Sequence, residues 1–237
     1  MALTLPHSGA AATAFYRTFP SESIANWMRQ LLRPEMVVVD VGAHAGVYSL
    51  LAARLVGPSG VVHAVEPQAE CVAIIERNAE LNSLPNVRAH LLALSDANGE
   101  VSLVVDPRTM GGIIDTSLSG VASHVSAQRI DTFAARQGLR TIDLLKLDAA
   151  GNELRVLRGA GSLLDGAVRT MIVKLYHPDV IAERFRVDQG PDAIVRLLQA
   201  QGYSVELADR RLPVGVALEQ LFTSDEYTVP LLARRGP

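Results

Sequence analysis

Residues 36–41, Met-Val-Val-Val-Asp-Val, form an apolar, β-branched run without polar alternation. A glycine turn at 42–46, Gly-Ala-His-Ala-Gly, separates it from an apolar-periodic stretch at 47–56 that stops at Gly57-Pro58. A strand without alternation is buried on both faces, as in a parallel sheet flanked by helices. The unit then repeats. Residues 61–65 read as a second buried strand ending in Glu66-Pro67, residues 68–82 as a helix, and residues 87–92 as a third strand. Strands alternating with helices predict an α/β fold: an open, doubly wound, mostly parallel sheet with right-handed crossovers. Its ligands bind at the carboxyl ends of the strands.

The same rhythm organises most of the remainder. Residues 21–33 place Ile24, Trp27, Met28, Leu31 and Leu32 at helical spacing, opened by a serine and closed before Pro34. The segment 95–130 breaks the pattern: Asp96-Ala-Asn-Gly99 reads as a hairpin turn into 100–105, and 106–119 as a long surface loop. Strands follow at 142–147 and 168–175, helices at 152–164 and 191–201, and a closing strand pair at 203–207 and 227–232. With no repeat or linker in its 237 residues, the chain reads as one domain, a leader and helix over 1–35 and a catalytic core over 36–237.

Composition narrows the partners. The 22 Lys plus Arg against 25 Asp plus Glu, net −3, supply no broad positive field, so nucleic acid is not an expected partner. No apolar run approaches the ~20 residues of a membrane span, and the start has no secretory pattern, so neither a membrane nor export is expected and the cytoplasm is the expected compartment. The lone Cys71 lies on a helical pattern and reads as a buried apolar side chain. His7, His63, His90 and His124 are scattered without metal-ligand spacing, so no metal site is expected.

The first glycine loop carries the chemistry. Asp40, Gly42 and Gly46 spell D-x-G-x-x-x-G, which differs from the G-x-G-x-x-G of a dinucleotide pyrophosphate site. A pyrophosphate calls for bare amides at a helix N-terminus, whereas a carboxylate in the loop suits a cationic ligand. Glu66, ending the second strand, stands where an acid takes up ribose hydroxyls in doubly wound folds. An adenosyl ligand without phosphates, S-adenosylmethionine, satisfies both features. A helix cap at Asp40 and a plain turn at Glu66-Pro67 are the structural alternatives for each feature taken alone.

Several pieces together resemble the FkbM family of S-adenosylmethionine-dependent methyltransferases. They are residues 39–49 (Val-Asp-Val-Gly-Ala-His-Ala-Gly-Val-Tyr-Ser), Val65-Glu-Pro67, Ala93-Leu-Ser-Asp96 with Asn98-Gly-Glu100, and residues 142–148 (Ile-Asp-Leu-Leu-Lys-Leu-Asp) with Val156-Leu-Arg-Gly-Ala160. The resemblance implies a seven-stranded, Rossmann-like class I fold and O-methylation of a hydroxyl on a sugar, polyketide or other small metabolite. It also implies a cofactor site made by Asp40, Gly42, Ala43, His44, Gly46, Tyr48, Glu66, Pro67, Ala93, Leu94 and Asp148. Two departures stand out: Ala150 replaces the first glutamate of the family's Lys-Ile-Asp-Val-Glu-Gly-x-Glu, and Lys174-Leu175 replaces a glutamate before the His-Pro pair.

A hydroxyl nucleophile needs a group to take its proton. The candidates at strand ends are Asp148 and His177, with Lys146 either paired inward to an acid or snorkelling to the surface. Glu153 is expected to support the first turn of the following helix through its dipole, and His44 to make local hydrogen bonds near the cofactor. The acceptor is expected to be a small molecule met by Phe15, Tyr16 and the segments 106–124 and 177–188, and a helical leader of this type suits a homodimer. The competing readings are an S-adenosylmethionine-binding partner subunit with weak or lost transfer, and a nicotinamide dehydrogenase. The glycine pattern and the lack of a Tyr-x-x-x-Lys motif speak against the dehydrogenase.

Overall fold

The computed structural model describes residues 2–4, 22–105, 112–114, 123–180, 190–207, 210–211, 222 and 228–236. Helix α1 (Glu22–Leu31) precedes β1 (Val37–Val41), α2 (Val47–Val56), β2 (Val61–Glu66), α3 (Ala69–Leu81) and β3 (Val87–Leu91). Then come β4 (Ala93–Ser95), β5 (Gly99–Val105), β6 (Gly112–Ile114), β7 (Ser123–Arg129) and α4 (Ile130–Gln137). The chain continues with β8 (Ile142–Leu147), α5 (Glu153–Arg158), a 3₁₀ turn (Gly161–Asp165), β9 (Val168–Tyr176), α6 (Pro191–Ala200), β10 (Tyr203–Leu207), β11 (Arg210–Arg211) and β12 (Thr228–Arg235).

The main sheet runs in the order β11-β10-β12-β9-β8-β1-β2-β3. Neighbours from β3 to β9 are parallel, and β12 enters antiparallel between β9 and β10. Seven strands match the expectation, with the two-residue β11 added at one edge. Because side chains alternate across a strand, each central strand feeds two cores. Val39, Val41, Leu145, Leu147, Val173 and Leu175 pack under α5 and α6, and Val38, Leu144 and Ile172 pack with α1 and α2. Ile24, Met28 and Leu32 close this second core over Tyr48, Ala52 and Val56; burying each such side chain stabilises the fold by about 1.5–3 kcal/mol.

The segment that breaks the rhythm forms a second sheet, ordered β4-β7-β5-β6. Here the expected hairpin at 96–99 is corrected: β4 and β5 do not pair, because β7 lies between them, with Ala127 facing Ala93 on one side and Gly99 on the other. Locally, Asp96-Ala-Asn-Gly reads as a hairpin turn, but β7, which arrives 24 residues after Gly99, pairs with both strands. The surface-loop reading of 106–119 falls outside the described residues except for β6. Helix α4, absent from the sequence reading, plants Ile130 and Phe133 in the core. The helix expected over 152–164 is broken into α5 and the 3₁₀ turn. At Gly159 a Cβ would lie 2.1 Å from the Ser95 carbonyl oxygen, so the chain passes β4 too closely for any side chain there.

Candidate functional site

The carboxyl ends of β1, β2, β8 and β9 change character on one face. The face that buries Val38, Leu144 and Ile172 deeper in the sheet continues outward as Asp40, Lys146 with Asp148, and Lys174 with Tyr176; Glu66 follows Val62 and Ala64 by the same parity. Apolar columns thus end in a cluster of charges at the edge where doubly wound sheets bind ligands.

The glycine loop is fixed from β2. Gly42 and Ala43 donate their N–H groups to the Val65 carbonyl at 2.9 and 3.2 Å, and the His44 N–H donates to Glu66 Oε2 at 2.9 Å. Glu66 Oε1 accepts the Gln68 N–H at 3.1 Å. Burial pushes the Glu66 carboxyl above its usual range against these bonds. Gly42 has φ +70°, and a Cβ there would lie 1.9 Å from the Asp148 carbonyl oxygen, so glycine is the only residue this crossing accepts. His44 is also left-handed, at φ 51°.

Asp40 and Lys146 face each other on paired strands with Nζ 2.9 Å from Oδ1 and both side chains almost wholly buried. Ser49 Oγ donates to Asp40 Oδ2 at 2.6 Å, and Lys146 Nζ donates to the Gly42 carbonyl at 3.3 Å. The lysine therefore points inward and does not snorkel. Burial lowers its pKa, but the Asp40 and Asp148 charges outweigh burial and hold it above the ordinary value. Tyr48 lies in the α1/α2 core with its ring 5.2 Å from this ammonium. Asp40 is thus engaged within the protein by a cation and a hydroxyl.

Asp148 extends β8, its N–H donating to the Val41 carbonyl at 3.1 Å. Tyr176 Oη donates to Asp148 Oδ1 at 2.6 Å and Lys174 Nζ to Oδ2 at 3.2 Å. Burial raises the Asp148 carboxyl, yet Lys174, Lys146 and the Tyr176 hydroxyl outweigh it and hold it below the carboxylate range. The Tyr176 hydroxyl is pushed well up by burial and the Asp148 charge, so it stays a donor. Glu153, the first residue of α5, accepts the Ala149 and Gly151 N–H groups at 2.7 and 3.3 Å. Burial and the Asp148 charge push its pKa to about 7. From the first turn of α5 its carboxyl thus folds the 149–151 turn, in which Ala150 takes φ 49°.

His177 follows β9, and Tyr176 and His177 leave the strand on opposite sides. Its Nδ1 accepts the Asp179 N–H at 3.2 Å and its ring packs edge-on against Phe222 at 5.1 Å. Ala93 and Leu94 bury their side chains, Leu94 with Val65 and Phe133, and Ala93 with Leu103 and Ala127. Pro67 forms the turn between β2 and α3. Phe15, Tyr16 and residues 181–188 lie outside the described residues. The sequence reading passed over Ser49, Lys174 and Tyr176 as site residues, although strand parity from Ile172 puts Lys174 and Tyr176 on the same face as Lys146.

The donor set fits S-adenosylmethionine. Asp40, Glu66, Asp148 and Glu153 outnumber Lys146 and Lys174, an acidic balance that matches a ligand that is cationic overall. Glu66, anchored by two backbone amides, keeps acceptor capacity for a ribose diol. Among the described residues no group of three metal-ligating side chains is assembled, and no helix is long and apolar enough to cross a membrane.

The model of the methyltransferase FkbM domain matches residues 40–205. The chain is 28% identical over 200 residues to methyltransferase sdnD from Sordaria araneosa, covering 71% of this chain and 73% of that one. It is 28% identical over 221 residues to 31-O-demethyl-FK506 methyltransferase FkbM from Streptomyces tacrolimicus, covering 80% and 81%. Magnesium protoporphyrin IX methyltransferase from Synechocystis PCC 6803, solved with bound SAM, shares the fold at TM-score 0.52 and 13% identity, covering 97% of this chain and 86% of that one.

Proposed function

The chain belongs to the FkbM methyltransferase family, S-adenosylmethionine-dependent enzymes, and we propose that it methylates a hydroxyl oxygen of a small metabolite such as a sugar, a polyketide or another natural product. The observation that carries this reading is Asp148. It is a carboxylate held ionised by Lys174 and Tyr176 against the glycine loop, with its backbone carbonyl under Gly42. The name of the Streptomyces relative places that enzyme's chemistry at an oxygen.

S-adenosylmethionine supplies a methyl group already activated by its sulfonium. Glu66 and loop 42–46 would hold the nucleoside, and the Asp40, Asp148 and Glu66 carboxylates would favour the positive ligand. Asp148 accepts the hydrogen bond of the acceptor hydroxyl and then its proton. A carboxylate below the usual range suffices, because an oxygen gaining a third substituent becomes strongly acidic as the bond forms. Tyr176 and Lys174 fix the carboxylate's rotamer, so its contribution is orientation as much as basicity. Incubating the protein with S-adenosylmethionine and a panel of hydroxylated metabolites, and reading S-adenosylhomocysteine by mass spectrometry, tests the proposal. Product that depends on an alcohol acceptor and falls in Asp148→Asn supports it, and turnover only with amine or thiol acceptors contradicts it.

A further inference from the structure

Asn78 lies in the last turn of helix α3 and Asn82, four residues on, caps its C-terminus; both face the short segment 2–4. Asn78 Oδ1 accepts the Thr4 N–H at 2.6 Å while its Nδ2 donates to the Thr4 carbonyl at 3.1 Å. Asn82 repeats the pattern two residues earlier, accepting the Ala2 N–H at 3.0 Å and donating to the Ala2 carbonyl at 2.7 Å. The match is geometric. Four residues of helix rise about 6 Å and two residues of extended chain rise about 6.6 Å, so carboxamides at i and i+4 meet alternate residues of a strand. Each carboxamide occupies the place of a neighbouring strand's peptide group. The recognition uses backbone alone.

The two asparagines reach further. Asn78, fully buried, donates its second Nδ2 hydrogen to the Ala45 carbonyl at 3.0 Å, and Asn82 Oδ1 also accepts from Arg54 Nη2 at 2.9 Å. Ala45 belongs to the glycine loop and precedes α2, and Arg54 lies in the last turn of α2. Segment 2–4 is thereby joined to both ends of the helix that carries Tyr48 and Ser49.

We propose that Asn78 and Asn82 form a backbone-reading site for an extended peptide, filled by this chain's own residues 2–4, whose occupancy orders loop 42–46 and so sets the affinity for the adenosyl ligand. The affinity part rests on the cofactor reading of that loop. Proline removes a backbone donor without opposing an extended chain, which isolates the effect from folding. The full chain carrying Ala2→Pro and Thr4→Pro is compared with the parent and with Leu3→Pro, whose N–H lies on the other edge of an extended segment. Two readouts are used: calorimetric titration with S-adenosylhomocysteine and hydrogen exchange of the amides at 43–46. Losing two backbone hydrogen bonds predicts about tenfold weaker binding and about tenfold faster exchange in the double variant, with Leu3→Pro close to the parent. Equal affinity and equal exchange in all three proteins would overturn the proposal, as would equal damage from Leu3→Pro. If the parent bound no S-adenosylhomocysteine, the cofactor reading and the affinity part would fall together, while the exchange comparison would still decide whether docking orders the loop.

Discussion

Lys146 Nζ and the Asp40 carboxylate lie 2.9 Å apart at directly paired positions of β8 and β1, each almost wholly buried. Taking one partner away leaves an uncompensated charge, which costs about 3–5 kcal/mol, whereas replacing both by uncharged groups of similar shape costs far less. Lys146→Met is expected to lower stability in urea unfolding by about that amount, and Asp40→Asn combined with Lys146→Met to recover much of it. A single variant as stable as the parent would contradict the buried pair.

Tyr176 reaches the same cluster from β9. Tyr176→Phe deletes the 2.6 Å bond to Asp148, so the Asp148 carboxyl rises toward its ordinary range. Methyl transfer is expected to lose about tenfold in kcat, since bonds to charged groups are worth about 1.5–3 kcal/mol, with KM for the cofactor little changed. The acid limb of the pH–rate profile moves to higher pH. A profile that does not move would remove Tyr176 from the mechanism.

Glu153 and His63 predict opposite pH dependences. The Glu153 carboxyl is raised from 4.5 to about 7 in the folded protein, so the folded state binds the extra proton, and the stability it contributes is present below about 4.5 and lost as pH rises through about 7. The His63 ring, buried against His90 and Phe133, is lowered from 6.5 to about 4, so its contribution is present above about 6.5 and lost as pH falls through about 4. Each is worth on the order of 3 kcal/mol. Glu153→Gln, which keeps an oxygen for the Ala149 and Gly151 amides, should remove the fall in stability between about pH 4.5 and 7, and His63→Phe the opposing rise between about pH 4 and 6.5. Unchanged slopes in either variant would contradict the assignment.

Gly42→Ala tests the crossing of loop and strand. The added Cβ meets the Asp148 carbonyl oxygen at 1.9 Å on a left-handed residue, so β1 and β8 must separate. A loss of about 2 kcal/mol or more in stability and of detectable S-adenosylhomocysteine binding is expected, read by thermal melting and titration. Retention of both would mean that the loop has room to spare.

How far the sequence reading reached depends on how local the signal was. The unalternating Val37–Val41 run, the loop after it and Glu66 are contiguous features, and their structure is set by neighbours a few residues away. The second sheet is not local: Ala93 and Gly99 both find Ala127, a partner invisible to turn chemistry. Gly159 must be glycine because it passes Ser95, again a distant contact, and the left-handed Gly161 follows two residues later. At the site, Asp148 and Lys146 were legible from their strand, but the use of Lys146 became plain only with Asp40 opposite. Lys174, read in sequence as the loss of an acid, proves to be the cation that Asp148 holds. Cys71 is buried, with burial pushing its thiol up to about 12, as the single-cysteine reading anticipated.

The central claim is that Glu66 and loop 42–46 bind the adenosyl cofactor. Calorimetric titration of the parent and of Glu66→Ala with S-adenosylhomocysteine, with NAD as control, tests it most directly. One saturable site in the parent, weakened about tenfold or more in the variant by loss of a charged hydrogen-bond acceptor, is the predicted result. No binding by the parent, equal affinity in the variant, or a preference for NAD would contradict it.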